Sequence, residues 1–347
     1  MSNIVEVDAL ANVHWHGREG QIVGSLIERA IEGGADVLGL MPNTDLGLTT
    51  ADRVFGNLFQ TNLWGAAKNV RLLPFLMITE TTSQKEIEKC LSKGYCDGKV
   101  YPRDRTTKSE NGVRNYGRLL PIIKVCGELG MKVHLHPEHP SKTYDNREAE
   151  NAFLAIVDIF LNETDAVIIW EHGTDARCIP HWENFAKGSR FYVTLTAHHL
   201  ATNEDRVFGD VRAVCKPPIK TEADRKALVE LVAKNYSWVM AGGDDAFHDQ
   251  TRKHVDQGGC ACGAYTSPFL LPLYAHALGN LLQEEKGIGV FVNFTSRNAR
   301  KLHHLPDSSR TIKLLNECQQ IPLHYQIEKQ VAVPFWAGQF IDWKIIS

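Results

Sequence analysis

Two histidines one residue apart, His14 and His16 in "NVHWHGREG", are the first residues in the chain whose types and spacing suggest chemistry. On a β-strand, residues two apart project from the same face about 6.6 Å apart, at roughly 3.3 Å per residue, so both imidazoles can converge on one ion. Further ligand-type side chains stand at the ends of apolar, β-branched runs: Lys99 in "DGKVYP", His136 in "MKVHLHP", His172 in "AVIIWEHG" and Asp244 in "SWVMAGGDD". A histidine taken singly is more often a hydrogen-bonded core or surface imidazole, and His134, His139, His198 and His199 are expected to be of that kind. Four histidines and an aspartate at consistent strand ends point instead to a metal site. Such ligands suit zinc, manganese and cobalt alike.

Lys99 is the odd member of this set, because an ammonium repels a cation and is costly to bury unpaired. An amine whose pKa is lowered by burial can react with carbon dioxide to give a carbamate, whose two oxygens could bridge two divalent ions. The plainer alternatives are a lysine that snorkels to solvent or pairs with Asp97.

Side chains at strand ends need a frame that brings the ends together. Short runs at 35–43, 70–79, 97–102, 131–137, 166–173, 191–199 and 237–245, with the segment ending in "VHWH", make eight predicted strands. Between them lie helical patterns such as "QIVGSLIERAIEGG", "YGRLLPIIKVCGELG" and "EADRKALVELVAKN", apolar at i, i+3, i+4 and i+7. Eight strands alternating with helices predict an α/β fold, a closed (β/α)8 TIM barrel, whose chemistry collects at the C-terminal ends of its strands. The looser pattern from about residue 288 is expected to add helix and loop, a C-terminal extension packed on the barrel within one domain spanning 1–347. The 347 residues, 43% hydrophobic with seven Trp and fourteen Phe, can bury such a core.

A formal charge of −3 without a long basic run offers no footprint for nucleic acid or an anionic membrane. The N-terminus lacks a signal-peptide pattern and no run approaches 18 apolar residues, so a cytoplasmic address is expected. Eight scattered cysteines read as reduced thiols. Cys260 and Cys262 in "GGCACG" lack a second cysteine pair and are expected to form a plain loop at the catalytic face instead of a zinc knuckle.

"HWHGREG", "MPNT", "GKVYP", "HLHPEH", "WEHGT" and "GGDDAFH", in that order and at those intervals, resemble the amidohydrolase superfamily. Within it they look most like the shorter, bacterial type of dihydroorotase, and the resemblance extends to "CKPPIK", the cysteine-rich loop and the closing "VPFWAG". It implies that His14, His16 and Asp244 hold one Zn2+, that His136 and His172 hold a second, and that N6-carboxylated Lys99 bridges the two. Arg18, Asn43 and His248 would clamp a substrate carboxylate, a role that suits the forked guanidinium of Arg18. Thr106 and Thr107 match a mobile loop that closes over the substrate, and backbone groups at Lys216 and Ser267 would complete the pocket. The chain departs from the family at Gly243-Asp244-Asp245-Ala246-Phe247-His248, where Thr-Asp-Ser-x-Pro-His is common, at "HPEHP" in place of HGE, and at the lysine of "CKPP".

The implied activity is reversible cyclisation of N-carbamoyl-L-aspartate to L-dihydroorotate in pyrimidine synthesis. Two zinc ions would activate a bridging water to hydroxide, Asp244 would shuttle its proton, and family members of this type are usually homodimers. Three alternatives stand beside it: a hydantoinase or dihydropyrimidinase-like cyclic-amide hydrolase, a non-catalytic scaffold of the same fold, and a single-metal enzyme with Lys99 unmodified.

Overall fold

The structure, a computed structural model, describes residues 3–65, 69–253 and 260–346. Its strands are β1 Ile4–Asp8, β2 Leu10–His16, β3 Ala35–Leu40, β4 Arg71–Ile78, β5 Asp97–Val100, β6 Lys132–Leu135 and β7 Ile168–Trp170. These are followed by β8 Phe191–Leu195, β9 Val239–Ala241, β10 Asp245–Ala246, β11 Thr311–Gln320, β12 Tyr325–Ile327, β13 Gln330–Ala332 and β14 Phe340–Ile346.

Strands β2 to β9 pair in parallel in sequence order, and β10 pairs in parallel with β2, matching Asp245 with Trp15 and Ala246 with His16. β9 and β10 are therefore the two halves of one eighth strand, broken over residues 242–244, and β10 closes the ring. A helix follows each strand position: Ile22–Glu32, Ala51–Gly65, Gln84–Leu91, Tyr116–Leu129, Ala149–Glu163, Ile179–Phe185, Glu222–Ala233 and Leu270–Ala277. The (β/α)8 expectation is met. Barrel strands are covered by helices outside and side chains inside, which is why they read as unbroken apolar runs.

Local sequence fixes the helix ends. Asn115 accepts hydrogen bonds from the N–H groups of Gly117 and Arg118 at the start of Tyr116–Leu129, and Gly130, with φ +85°, ends that helix in the left-handed conformation. Thr221 and Asp224 form a reciprocal capping box at the start of Glu222–Ala233. Inside the barrel, Val13, Val37, Phe75, Ile169 and Met240, from five different strands, meet Leu302 of the helix Asn298–Leu302. The barrel floor is thus a packed apolar layer.

The extension differs from the expected helix and loop. After the helices Glu285–Val292 and Asn298–Leu302, the chain forms a three-stranded antiparallel sheet, β1-β11-β14, and a hairpin, β12-β13. The signal is a period-2 alternation: Val5 and Val7 in β1, Ile312 and Leu314 in β11, and Ile341 and Trp343 in β14 are buried on one face. All six belong to the same apolar cluster as the helix faces of the barrel.

One buried ion pair ties the start of the helix Ala149–Glu163 to β7, the loop after it and the loop before the helix Glu222–Ala233. Glu150 accepts from Lys220 Nζ at 2.5 Å, from Trp170 Nε1 at 3.3 Å and from the Thr174 N–H at 2.8 Å. Lys220→Met leaves that carboxylate buried without its cation and is expected to cost about 3–5 kcal/mol in urea unfolding. A loss under about 1 kcal/mol would mean that water or another cation replaces the amine.

Candidate metal centre

The strand ends bring the sequence-singled residues together at the C-terminal rim. His14 and His16, from β2, reach Asp244 Oδ1 through their Nε2 atoms at 3.1 and 3.0 Å, and the three ligand atoms lie within 4.8 Å of one another. His172, just past β7, lies 5.2 Å from His14 and 4.6 Å from His136, ring centre to ring centre. Lys99, in β5, is wholly buried, with its Nζ 4.0 Å from Glu171 and 5.4 Å over the ring of Tyr101. Neither plainer reading of Lys99 holds: it does not snorkel, and Asp97 is engaged by Lys132, His134 and His303.

Backbone geometry supports these positions. The β2–β3 register shifts between Asn12 and Trp15, around His14, where the α-carbon of Gly39 passes so close to β2 that an added Cβ would lie 2.1 Å from the Val13 carbonyl oxygen. Arg18, His172 and Asp244 occupy the left-handed region at φ 59°, 40° and 43°, each a conformation costing about 1–3 kcal/mol for a residue with a side chain.

The donor set fits divalent cations. Among the described residues, Lys99 Nζ and both ring nitrogens of His172 are buried without a hydrogen-bond partner. Such groups are costly unless something binds them. Carboxylates meet the far sides of two rings: Glu171 Oε2 lies 2.6 Å from His14 Nδ1, and Glu138 Oε2 lies 2.7 Å from His136 Nε2. A proton on each of those nitrogens leaves the opposite one as a lone-pair ligand.

Electrostatics favour the ligating forms of His16, His172 and Asp244; at His14 burial opposes the charged ring, yet Glu171 and Asp244 beside it hold the imidazole above its ordinary value. Burial brings His16 down to about 4 and holds His172, which also faces His136, well below the usual imidazole range. Burial works against the Asp244 and Glu171 carboxylates, yet His14 beside Asp244, and Lys99 and His14 beside Glu171, hold both well below the usual carboxylate range. Burial pushes Lys99 down to about 8 against the pull of Glu171 and Asp244, so a fraction of the amine is neutral and nucleophilic near pH 7.

Beside the cluster is a recess of about 20 Å³, lined by Arg18, Asn43, Thr106, Thr107, Lys216 and His248 together with His16 and Asp244. That is room for about one water. Arg18 Nε donates to the Phe247 carbonyl at 2.7 Å, and its Nη2 lies 3.2 Å from His248 Nε2. Asn43 donates to the Thr107 carbonyl at 3.1 Å and accepts from the Tyr101 hydroxyl at 3.0 Å, while His248 Nε2 meets the Cys262 carbonyl at 2.8 Å. The cysteine-rich segment is loop from Cys260 onward, and its residues 256–259 lie outside those described. Lys216 Nζ is bonded to Asn146 Oδ1.

Ser267 is not brought into the recess. Its N–H and hydroxyl are taken by Asp245, and its oxygen accepts from Trp15 Nε1 at 3.2 Å. Asp245, the extra carboxylate of "GDDAFH", faces residues 266–267 and anchors that loop.

Sequence reasoning missed Glu171, Glu138 and the role of His134. The i, i+2 spacing that singled out His14 and His16 recurs in His134 and His136, and it was the available signal. His199 is satisfied, by Thr196 and the Pro217 carbonyl, and His139 accepts from the Ser141 N–H. His198 departs from expectation: it is fully buried with neither ring nitrogen bonded.

Burial holds His198 down to about 4 and His248, with Arg18 also opposing its charge, down to about 3. In the unfolded chain both titrate near 6.5, so that chain binds more protons between these values. Their contribution to stability is complete above about pH 6.5 and lost as the pH falls through it toward 4. The urea midpoint of metal-free protein is expected to drop over that interval, less steeply in His198→Gln. An unchanged slope in the variant counts against neutral burial of this ring.

No family model matches the chain. A curated relative, a probable dihydroorotase from Schizosaccharomyces pombe, is 27% identical over 341 residues, 98% of each chain. The crystal structure of dihydroorotase in complex with 5-fluoroorotic acid from Saccharomyces cerevisiae matches with a TM-score of 0.90 at 26% identity, covering 99% of this chain and 98% of that one. An L-hydantoinase (dihydropyrimidinase) from Arthrobacter aurescens shares the fold, with a TM-score of 0.79 at 14% identity over 98% of this chain and 83% of its own. The likeness to dihydroorotases runs the length of the chain, on an amidohydrolase barrel.

Proposed function

We propose that this chain, alike to dihydroorotases from end to end, is a dihydroorotase: a metal-dependent enzyme interconverting N-carbamoyl-L-aspartate and L-dihydroorotate in pyrimidine synthesis. The observation that carries the reading is the recess of Arg18, Asn43 and His248 beside a cluster of buried, unpartnered ligand atoms. A guanidinium, an amide and an imidazole together suit a carboxylate on the ring of the substrate.

His14, His16 and Asp244 would hold one Zn2+, His136 and His172 the other, with Lys99 as its carbamate shared between them. When bound, the two ions supply an activated water and polarise the amide carbonyl. Asp244 takes the proton of the attacking water and delivers it to the departing ring nitrogen, a transfer helped by its place between the ligand cluster and the recess. Arg18, Asn43 and His248 orient the ring through its carboxylate, so that one carbonyl face is presented to the cluster.

Thr106 and Thr107 close the recess. Thr107 is tied through its carbonyl to Asn43 and through its hydroxyl to the Cys262 carbonyl at 3.3 Å, and Lys108 pairs with Asp45. These contacts must open to admit a substrate into so small a space. Lys216 would add a polar contact at the far wall, and the backbone of Ser267 would act one layer behind, through Asp245. We read the chain as one domain and as a cytoplasmic homodimer. The described cysteines are all unpaired, which supports the address, and no described helix is long and apolar enough to cross a membrane. The dimer rests on the resemblance alone.

A paired assay of dihydroorotate against hydantoin and dihydrouracil, with metal content measured on the same sample, tests the reading. Turnover of dihydroorotate with two metals per chain is expected. Preference for an uncarboxylated ring would favour the hydantoinase-like alternative, and no metal with no activity on adding zinc would favour the scaffold.

A further inference from the structure

A row of buried polar side chains descends from the ligand cluster into the barrel. His14 Nδ1 meets Glu171 Oε2 at 2.6 Å, and Glu171 Oε1 meets His134 Nδ1 at 2.5 Å. His134 Nε2 then lies 3.2 Å from Asp97 Oδ1, and Asp97 Oδ2 lies 3.3 Å from His303 Nδ1. Thr194 donates to Glu171 Oε2 at 3.0 Å and accepts from the His172 N–H at 2.8 Å. Glu171 is wholly buried and does not line the recess, so it has no access to substrate.

The bonding roles follow from valence. An ionised carboxylate only accepts, so the His14 nitrogen facing Glu171 carries the proton. In the neutral form of the ring, the one that can ligate a metal, the lone pair is then on Nε2, 3.1 Å from an oxygen of Asp244. Two acceptors that close repel each other unless a cation lies between them. Glu171 also receives His134 through its other oxygen, so the carboxylate is held at both ends and cannot rotate away.

We propose that Glu171 is a positioning residue for the metal ligand His14: it fixes the imidazole as the Nδ1–H tautomer with the Nε2 lone pair aimed at Asp244, and is itself held from below by His134. The proposal rests on the reading that the His14 cluster binds a metal. Glutamine at this position offers one accepting oxygen where two N–H donors must be met. Its amide N–H₂, turned to His14, would force that proton onto Nε2, where an ion must bind.

Zinc affinity, measured by chelator competition on the purified full chain, tests this. Glu171→Gln is expected to weaken one of the two zinc sites about 10- to 100-fold, as loss of such an outer partner does elsewhere. Thr194→Val, which keeps both histidine contacts, is expected to stay within a few-fold of wild type. Equal zinc affinity in wild type and Glu171→Gln overturns the proposal and leaves the metal reading standing, whereas a wild type that takes up no zinc overturns both. Should Glu171→Gln fail to fold, histidine ¹⁵N spectra of the wild type decide, with His14→Asn identifying the signal. A proton on Nδ1 of His14 supports the proposal, and a proton on Nε2 overturns it.

Discussion

Lys99→Ala is expected to lower kcat/KM on dihydroorotate by at least about a thousandfold and to leave one metal per chain in place of two. The size follows from what the proposed function would have the variant lose: a ligand shared between ions would be worth several kcal/mol of transition-state stabilisation, and about 4 kcal/mol corresponds to three orders of magnitude. The side chain has no competing job. Its Nζ is buried with no hydrogen-bond partner, its one nearby carboxylate oxygen stands 4.0 Å off, and burial brings it down to about 8, where some amine is free to take up carbon dioxide. Alanine leaves a cavity of the lysine's length, into which acetate or propionate can place a carboxylate, so these acids are expected to restore part of both metal content and turnover. Two metals retained in the alanine variant would refute the bridging role and leave a structural lysine.

Arg18→Met is expected to cost about 10²- to 10³-fold in kcat/KM on dihydroorotate while leaving any turnover of hydantoin or dihydrouracil within a few-fold. Truncating one member of a buried charge pair typically costs about 2–5 kcal/mol, and methionine keeps most of the volume. Burial brings the Arg18 guanidinium down to about 10, so it is charged at neutral pH while poorly hydrated, which strengthens its hold on an incoming anion. The contrast between substrates is what gives the experiment its force. A uniform loss would mean that Arg18 acts through the Phe247 carbonyl to shape the loop, and full activity on dihydroorotate would remove the carboxylate clamp from the reading.

The barrel was legible because its strands are buried on both faces, and because each of β2, β5, β6, β7 and the broken eighth strand carries a ligand-type residue at or just beyond its C-terminal end. A ligand's place is therefore written as a position in the sequence. The supporting shell is not. Glu171 stands next to His172 in the chain, yet it serves His14 across the barrel, 157 residues away. The terminal sheet was missed because each of its strands brings only two buried side chains of the six named above, too few to stand out as a run. The pocket role implied for Ser267 failed to appear for a similar reason: Asp245 draws residues 266 and 267 toward itself, and nothing in their own sequence reveals that pull.

The positive φ angles of Arg18, His172 and Asp244 bear on how this protein would respond to laboratory evolution. In the metal-free protein, glycine at any of the three would relax the backbone while deleting a side chain from the proposed site, so a screen of that form that rewards heat resistance alone would enrich clones without the proposed activity at these positions. Selection on turnover would keep the tension in place. A thermal gain from glycine at residue 18, 172 or 244 would thus mark surrendered catalysis under the proposed function, and would serve as a negative control when hardening the fold elsewhere.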